Sequence, residues 1–151
     1  MKKTLLILAA MVFAITACDK QTYVDGNYSA TYNELDGHGW NAFVEFTLTE
    51  DVISDVDFDY LDADGNRKSE DSAYNANMLK IKGITNPETY CPAIEAAIAN
   101  TEIVPDYVFI DAVTGATGSS ENANILMEAA LEAAVEGQPT NVVIPQPVEE
   151  E

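Results

Sequence analysis

Positive charge is scarce in this chain. Its 151 residues hold seven lysines and arginines against 26 aspartates and glutamates, a formal net charge of −19. Two of the seven, Lys2 and Lys3, stand in the first three positions. Such a surface repels nucleic acid, whose binding requires phosphates to be neutralised, and it repels anionic lipid. It suits a partner with a cationic patch, or serves solubility alone. Histidine is limited to His38, which argues against a His-rich metal centre and against Ser–His chemistry. Cysteine is limited to Cys18 and Cys91, in regions with different fates, so no disulfide is expected. The apolar run from Leu5 to Ile15 is too short to span a bilayer comfortably. No phosphate-binding loop with its lysine is present, and Thr117-Gly118-Ser119 is not a nucleophile elbow. The length fits one compact domain.

The leader is informative. Met1-Lys2-Lys3 is basic, the apolar run follows, and it closes on Ile15-Thr16-Ala17-Cys18, the build of an export signal. The closing tetrapeptide resembles the lipobox of bacterial lipoproteins. That resemblance implies a signal peptide over residues 1–17 and acyl chains on Cys18. It also implies a tether over 18–24 and a protein held on the extracytoplasmic face of a membrane, at the cell surface or in the periplasm. Several acyl chains anchor stably where one does not. The alternative is an ordinary cleavage site with an incidental cysteine.

The body reads as α+β, a single domain in which a curved antiparallel sheet is packed by about three helices. Gly26 to Tyr32 is β-prone. Trp40, Ala42, Val44, Phe46 and Leu48 alternate with mostly polar residues, which predicts a half-buried strand. Glu50-Asp51 predicts a tight turn into a return strand, with Val52, Val56, Phe58 and Tyr60 on one face and Asp55, Asp57 and Asp59 on the other. Those carboxylates suit a hard cation or, more simply, a solvated sheet face. Asp62 to Asn66 departs from a calcium loop in the placing of its glycine and predicts a turn. Helices are expected over Arg67–Lys82, with a stripe of Tyr74, Met78, Leu79 and Ile81. A second is expected over Pro87–Asn100, unless Pro92 marks its start. The last runs from a cap at Ser119 or Ser120 to about Glu136. Gly137 suits a C-cap, and residues 138–151 read as a mobile tail in which Asn141–Ile144 could add an edge strand. Cys91, without a basic neighbour, reads as a small buried hydrophobe.

The chain is organised around Asp111-Ala112-Val113-Thr114-Gly115-Ala116-Thr117-Gly118-Ser119-Ser120. An apolar run, Val108-Phe109-Ile110, ends in the Asp. Small residues and two hydroxyls follow, and then an Ala-rich helix. Small neighbours allow close backbone approach, and a helix N-terminus favours an anion. The same residues would also serve a plain turn and cap.

Asp-x-x-Thr-Gly-Ala-Thr followed by Ser-Ser resembles the motif of FMN-binding domain proteins, relatives of the flavin-carrying subunits of sodium-pumping and Rnf-type redox complexes. A second stretch resembles that family's lipoprotein branch: Gly39-Trp40, then Lys68-Ser69-Glu70-Asp71-Ser72-Ala73-Tyr74-Asn75-Ala76-Asn77-Met78. The likeness spans about Asp25 to Gly137. It implies FMN esterified through its phosphate to Thr117 by a dedicated flavin transferase, with Asp111 as the acid that enzyme requires. Thr114, Gly115 and Ala116 would complete the loop that the transferase grips.

Trp40 could stack on the flavin ring, Lys68 and Ser69 could donate to ring or phosphate, and Tyr74 and Met78 could line its pocket. Each also suits a plain structural role. The resemblance further implies an electron carrier rather than a turnover enzyme. It would be reduced by a membrane dehydrogenase or quinol-linked donor and would pass electrons to an extracellular or surface acceptor, with no role for nucleic acid. A lipid-anchored protein that binds a ligand non-covalently, or a structural surface lipoprotein, is the alternative. The acidic surface is expected to lower the flavin's potential modestly, more so at low salt.

Overall fold

The computed structural model describes residues 22–99, 103, 109–137 and 141–147. The expected signal peptide 1–17, the lipidation site Cys18, most of the tether, Asn100 and Val108 lie outside the described residues.

Strand β1 spans Gly26–Tyr32, β2 Asn41–Thr49 and β3 Val52–Leu61. They pair antiparallel in that order. The β2–β3 turn places Glu50 and Asp51 at φ of 52° and 62°, the left-handed pair whose twist matches a two-residue hairpin. The inward residues follow the expected alternation on β2: Ala42, Val44, Phe46 and Leu48 are all buried.

On β3 the expected single apolar face is interrupted. Thr47 faces Ser54, but Glu45 faces Asp57, so β3 carries one extra residue, and Asp55 sits at φ 51°. This bulge switches the inward phase. Ile53 is buried before it, Phe58 and Tyr60 after it, and Val52 turns out to solvent. Nor is the acidic face simply solvated. Asp57 pairs with Arg67. Asp59 is buried, accepting from the Ser69 hydroxyl at 2.5 Å and from the Ser69 and Tyr60 amides. Among the described residues no group of carboxylates, histidines or cysteines is arranged to hold a metal ion.

Arg67–Lys82 is not one helix. A single 3₁₀ turn, Lys68–Glu70, ends at Asp71, and α1 then runs Ser72–Lys82. Asp71 leaves helical geometry because its carboxylate accepts from the Tyr74 amide and caps α1. The expected stripe on α1 is also half wrong: Tyr74 and Met78 pack against the core, whereas Leu79 and Ile81 stand exposed. Helix α1 reaches the rest through buried Asn75, whose amide donates to the Ser69 carbonyl and whose carbonyl accepts from the Glu88 amide.

Helix α2, Pro87–Ile98, starts at Pro87 and carries Pro92 inside it. It lays Tyr90, Cys91, Ile94 and Ile98 into the core. Burial raises the Cys91 thiol above its ordinary value, in keeping with an inert packing residue. Helix α3, Thr117–Val135, buries Ala123, Leu126, Met127, Ala130, Leu131 and Ala134. Each large side chain so buried contributes about 1.5–3 kcal/mol.

Gly137 follows at φ 61°, and the chain returns as β4, Asn141–Ile144, parallel to β1. The sheet order is therefore β3-β2-β1-β4. The expected antiparallel sheet gains a parallel edge strand, and the folded unit runs past the expected boundary at Gly137. The last tether residues also join the fold: the Val24 amide donates to the Ala134 carbonyl, and the Tyr28 hydroxyl donates to the Val24 carbonyl.

Candidate functional site

The loop that enters α3 is held from beneath. The Asn124 side chain accepts from the Ile110 amide and donates to the Ile110 carbonyl. It acts on Ile110 as a neighbouring strand would, while Phe109 and Ile110 sink into the core. Asp111 and Thr114 then stand exposed. Gly115 takes φ 77° with Thr85 pressed against it. A Cβ there would lie 2.9 Å from Thr85 Cγ2, so a side chain is excluded on two counts.

Ala116 is buried at the N-cap, and Thr117 opens the helix with its side chain exposed. The expected cap at Ser119 or Ser120 is absent. Ser120 lies inside the first turn, where its hydroxyl accepts from the Val113 amide and donates to the Ala116 carbonyl. Among the described residues no side chain caps α3, so its first-turn amides and dipole face the loop.

A cleft of about 370 Å³ opens there. It is lined by Gly115, Ala116 and Thr117, by Lys68 and Met78, and by residues that sequence reasoning did not single out, among them Tyr60, Asn122 and Gln146. Lys68 is nearly buried, its ammonium 4.5 Å from the Tyr60 ring centroid, 4.9 Å from Tyr74 and 5.3 Å from Trp40. Burial lowers its pKa, against the pull of Asp36 and Asp59. The three ring faces supply part of the stabilisation that water would give.

One wall is a chain of hydrogen bonds. Tyr32 donates to Asn122, whose amide donates to the Tyr60 hydroxyl, which donates to Ser119. Burial pushes the Tyr32 and Tyr60 pKa values up to about 12, so both remain neutral donors at ordinary pH. The Gln146 Oε1 atom is buried without a hydrogen-bond partner among the described residues.

The candidate residues therefore divide. Thr117, Gly115, Ala116, Lys68 and Met78 meet in the cleft. Trp40 and Tyr74 pack edge to face, ring centroids 5.7 Å apart, and close around Lys68 instead of lining the cleft. Ser69 is turned away, its hydroxyl committed to Asp59. His38 lies exposed in the β1–β2 loop. Tyr60 carried a signal in its place on an inward strand face. Gln146 carried none, because only the β4 pairing brings it here.

No family model matches the chain. It is 32% identical over 129 residues to the 15 kDa lipoprotein of Treponema pallidum (strain Nichols), a match covering 84% of this chain and 87% of that one. The crystal structure of the CPE2226 protein from Clostridium perfringens superposes with a TM-score of 0.73 at 28% identity, over 83% of this chain and all of that one. The mixed α+β architecture is thus shared with a solved structure.

Proposed function

The chain belongs to the bacterial lipoprotein family of the Treponema pallidum 15 kDa lipoprotein, and on that premise we propose that it is a membrane-tethered, extracytoplasmic electron carrier with FMN bound covalently to Thr117. The observation that carries the reading is the exposed Thr117 hydroxyl at the uncapped start of α3, on the rim of a cleft of about 370 Å³. That volume lies within the range of small-molecule sites. The residues present suit the group: a caged cation in Lys68, neutral hydroxyls at Tyr60 and Ser119, and a buried acceptor in Gln146 that lacks a partner among the described residues.

Thr117 would hold the flavin phosphate beside the α3 first turn, where a negative charge is favoured by roughly 0.3–1 kcal/mol. Lys68 and Met78 would face the ring, and Asp111 would remain free for the transferase. When bound, FMN supplies the electron-accepting and electron-donating chemistry. Attachment itself is redox-neutral and requires a flavin phosphate activated as an anhydride. Thr117 Oγ1 bonds to the flavin-side phosphorus, and the anhydride P–O bond breaks. The other phosphate leaves with the electron pair, and the hydroxyl proton passes to a base of the transferase. The covalent link prevents loss of the carrier outside the cell. Lipid anchoring through Cys18 would keep it near a membrane donor, and the exposed loop would let it reach a surface acceptor.

The test is the intact mass of the exported protein made together with a flavin transferase, wild type against Thr117→Ala. The expected result is an FMN adduct on wild type and none on the variant. A flavin that leaves on boiling in detergent would instead favour non-covalent ligand binding, and colourless wild-type protein would favour a structural surface lipoprotein.

A further inference from the structure

Beside the cleft the surface changes character. Ile81 and Ile84 are 69% and 66% exposed, and Leu79 is 44% exposed. Lys80 and Lys82 are interleaved with them and also exposed. Of the other basic side chains among the described residues, Arg67 is paired with Asp57 and Lys68 is buried. A protein of net charge −19 therefore gathers its exposed lysines, among the described residues, round the apolar end of α1.

That spot joins the Thr117 loop. Ile84 Cγ2 would lie 3.3 Å, and Thr85 Cγ2 2.9 Å, from a Cβ on Gly115, two positions before Thr117. Met78 and Lys82 line the same cleft as Thr117. Two isoleucines so exposed beside a cleft suit a contact surface, and the neighbouring lysines select the sign of what it meets.

We propose that the end of α1 and the loop to Thr85 form the docking surface for the flavin transferase, which meets it with an apolar spot ringed by carboxylates. The inference rests on the flavin-attachment reading above. A transferase that touched only the Thr117 loop would have small residues and little area to hold. The adjoining isoleucines supply the apolar contact, and the lysines orient the encounter against an otherwise repelling surface. A second copy of this chain fits poorly, because an isologous contact would set lysine against lysine. Anionic lipid fits poorly too, since two lysines must offset the field of the remaining carboxylates.

The test uses the full exported chain as acceptor, with the transferase and FAD, an anhydride of FMN. Initial rates of in-gel flavin fluorescence are read against acceptor concentration for wild type, Ile81→Ser/Ile84→Ser and Lys80→Glu. The KM for acceptor should rise about tenfold in the isoleucine variant and about threefold in the lysine variant, while kcat and final labelling remain those of wild type; losses at apolar anchors and rim charges are of this order. Wild-type kcat/KM should fall with added salt, and the lysine variant should show a weaker dependence. Equal KM values in all three proteins overturn the docking surface and leave the attachment reading standing. Unlabelled wild type overturns both. Unchanged KM with loss of self-association, or of binding to phosphatidylglycerol vesicles, reassigns the patch to a second copy or to the membrane and likewise overturns the proposal.

Discussion

Helices α2 and α3 both follow loops that contain a glycine and a threonine, and they begin in opposite ways. At α2, Asn86 is buried, its side chain accepts from the Thr89 amide, and the Thr89 hydroxyl accepts in return from the Asn86 amide. Pro87 occupies the first turn, where a missing N–H costs nothing. At α3 the N-cap is an alanine, the first helical residue is an exposed threonine, and no side chain closes the turn. The contrast extends to the carboxylates. Asp59 is enclosed by Ser69, the Tyr60 amide and Arg67, whereas Asp111 stands exposed beside the open helix. Polar groups satisfied within the protein hold it together, and those left open are available to something else.

Breaking the closed side should cost stability and spare attachment. The largest effect is expected for Asp59→Ala, which leaves the Ser69 and Tyr60 donors without this acceptor and should destabilise by about 3 kcal/mol. Urea unfolding would register it as a lower midpoint, while the folded fraction remains able to take flavin at Thr117. Gly115→Ala comes next and should cross the divide. Its positive φ and the clash with Thr85 should cost about 2 kcal/mol, and labelling of Thr117 should slow in the same preparation. Stability lost with labelling unchanged would mean that the loop shape does not govern access.

Asn86→Ala removes the capping box and should cost about 1 kcal/mol, read as a fall in thermal midpoint with no change in labelling. The smallest effect belongs to the carboxylates around the proposed flavin site. A single charge about 10 Å away shifts an added electron by about 0.4 kcal/mol in water-like dielectric, on the order of 20 mV. The midpoint potential of flavin-bearing protein should therefore rise with ionic strength, and a salt-independent titration would remove this electrostatic account.

Much of the fold was legible in the residues. The alternation from Trp40 to Leu48 predicted β2 and its buried face, and Glu50-Asp51 predicted the hairpin turn. Pro87 and Gly137 marked the start of α2 and the end of α3. The misses lie where packing intervenes. The break at Asp71 and the missing cap at Ser120 each turn on where one polar side chain finds its partner, and the bulge at Asp55 shifts the β2–β3 register. Those partners are fixed by packing rather than by spacing. The Lys68-to-Met78 motif shows the same limit: read as a set of ligand contacts, it resolves into a caged cation, an acid-bound serine, a helix cap and the buried Asn75 bridge, with Lys68 and Met78 alone reaching the cleft.

What the amino-acid sequence by itself determined is periodic or local: the half-buried strands, the helix-ending glycine, the acidic balance, and a loop of small residues with its two threonines. Those follow from side-chain volume, backbone freedom and charge, which act over a few residues. Only the tertiary structure decided which polar groups were closed and which stayed open. It carried Tyr60 and Gln146 from two distant segments to the mouth of α3, beside Asn122 of that helix, and it turned Ser69 away to Asp59. Burial has a cost for every unpaired polar atom, and where that cost is met depends on contacts between segments that no short window of sequence contains.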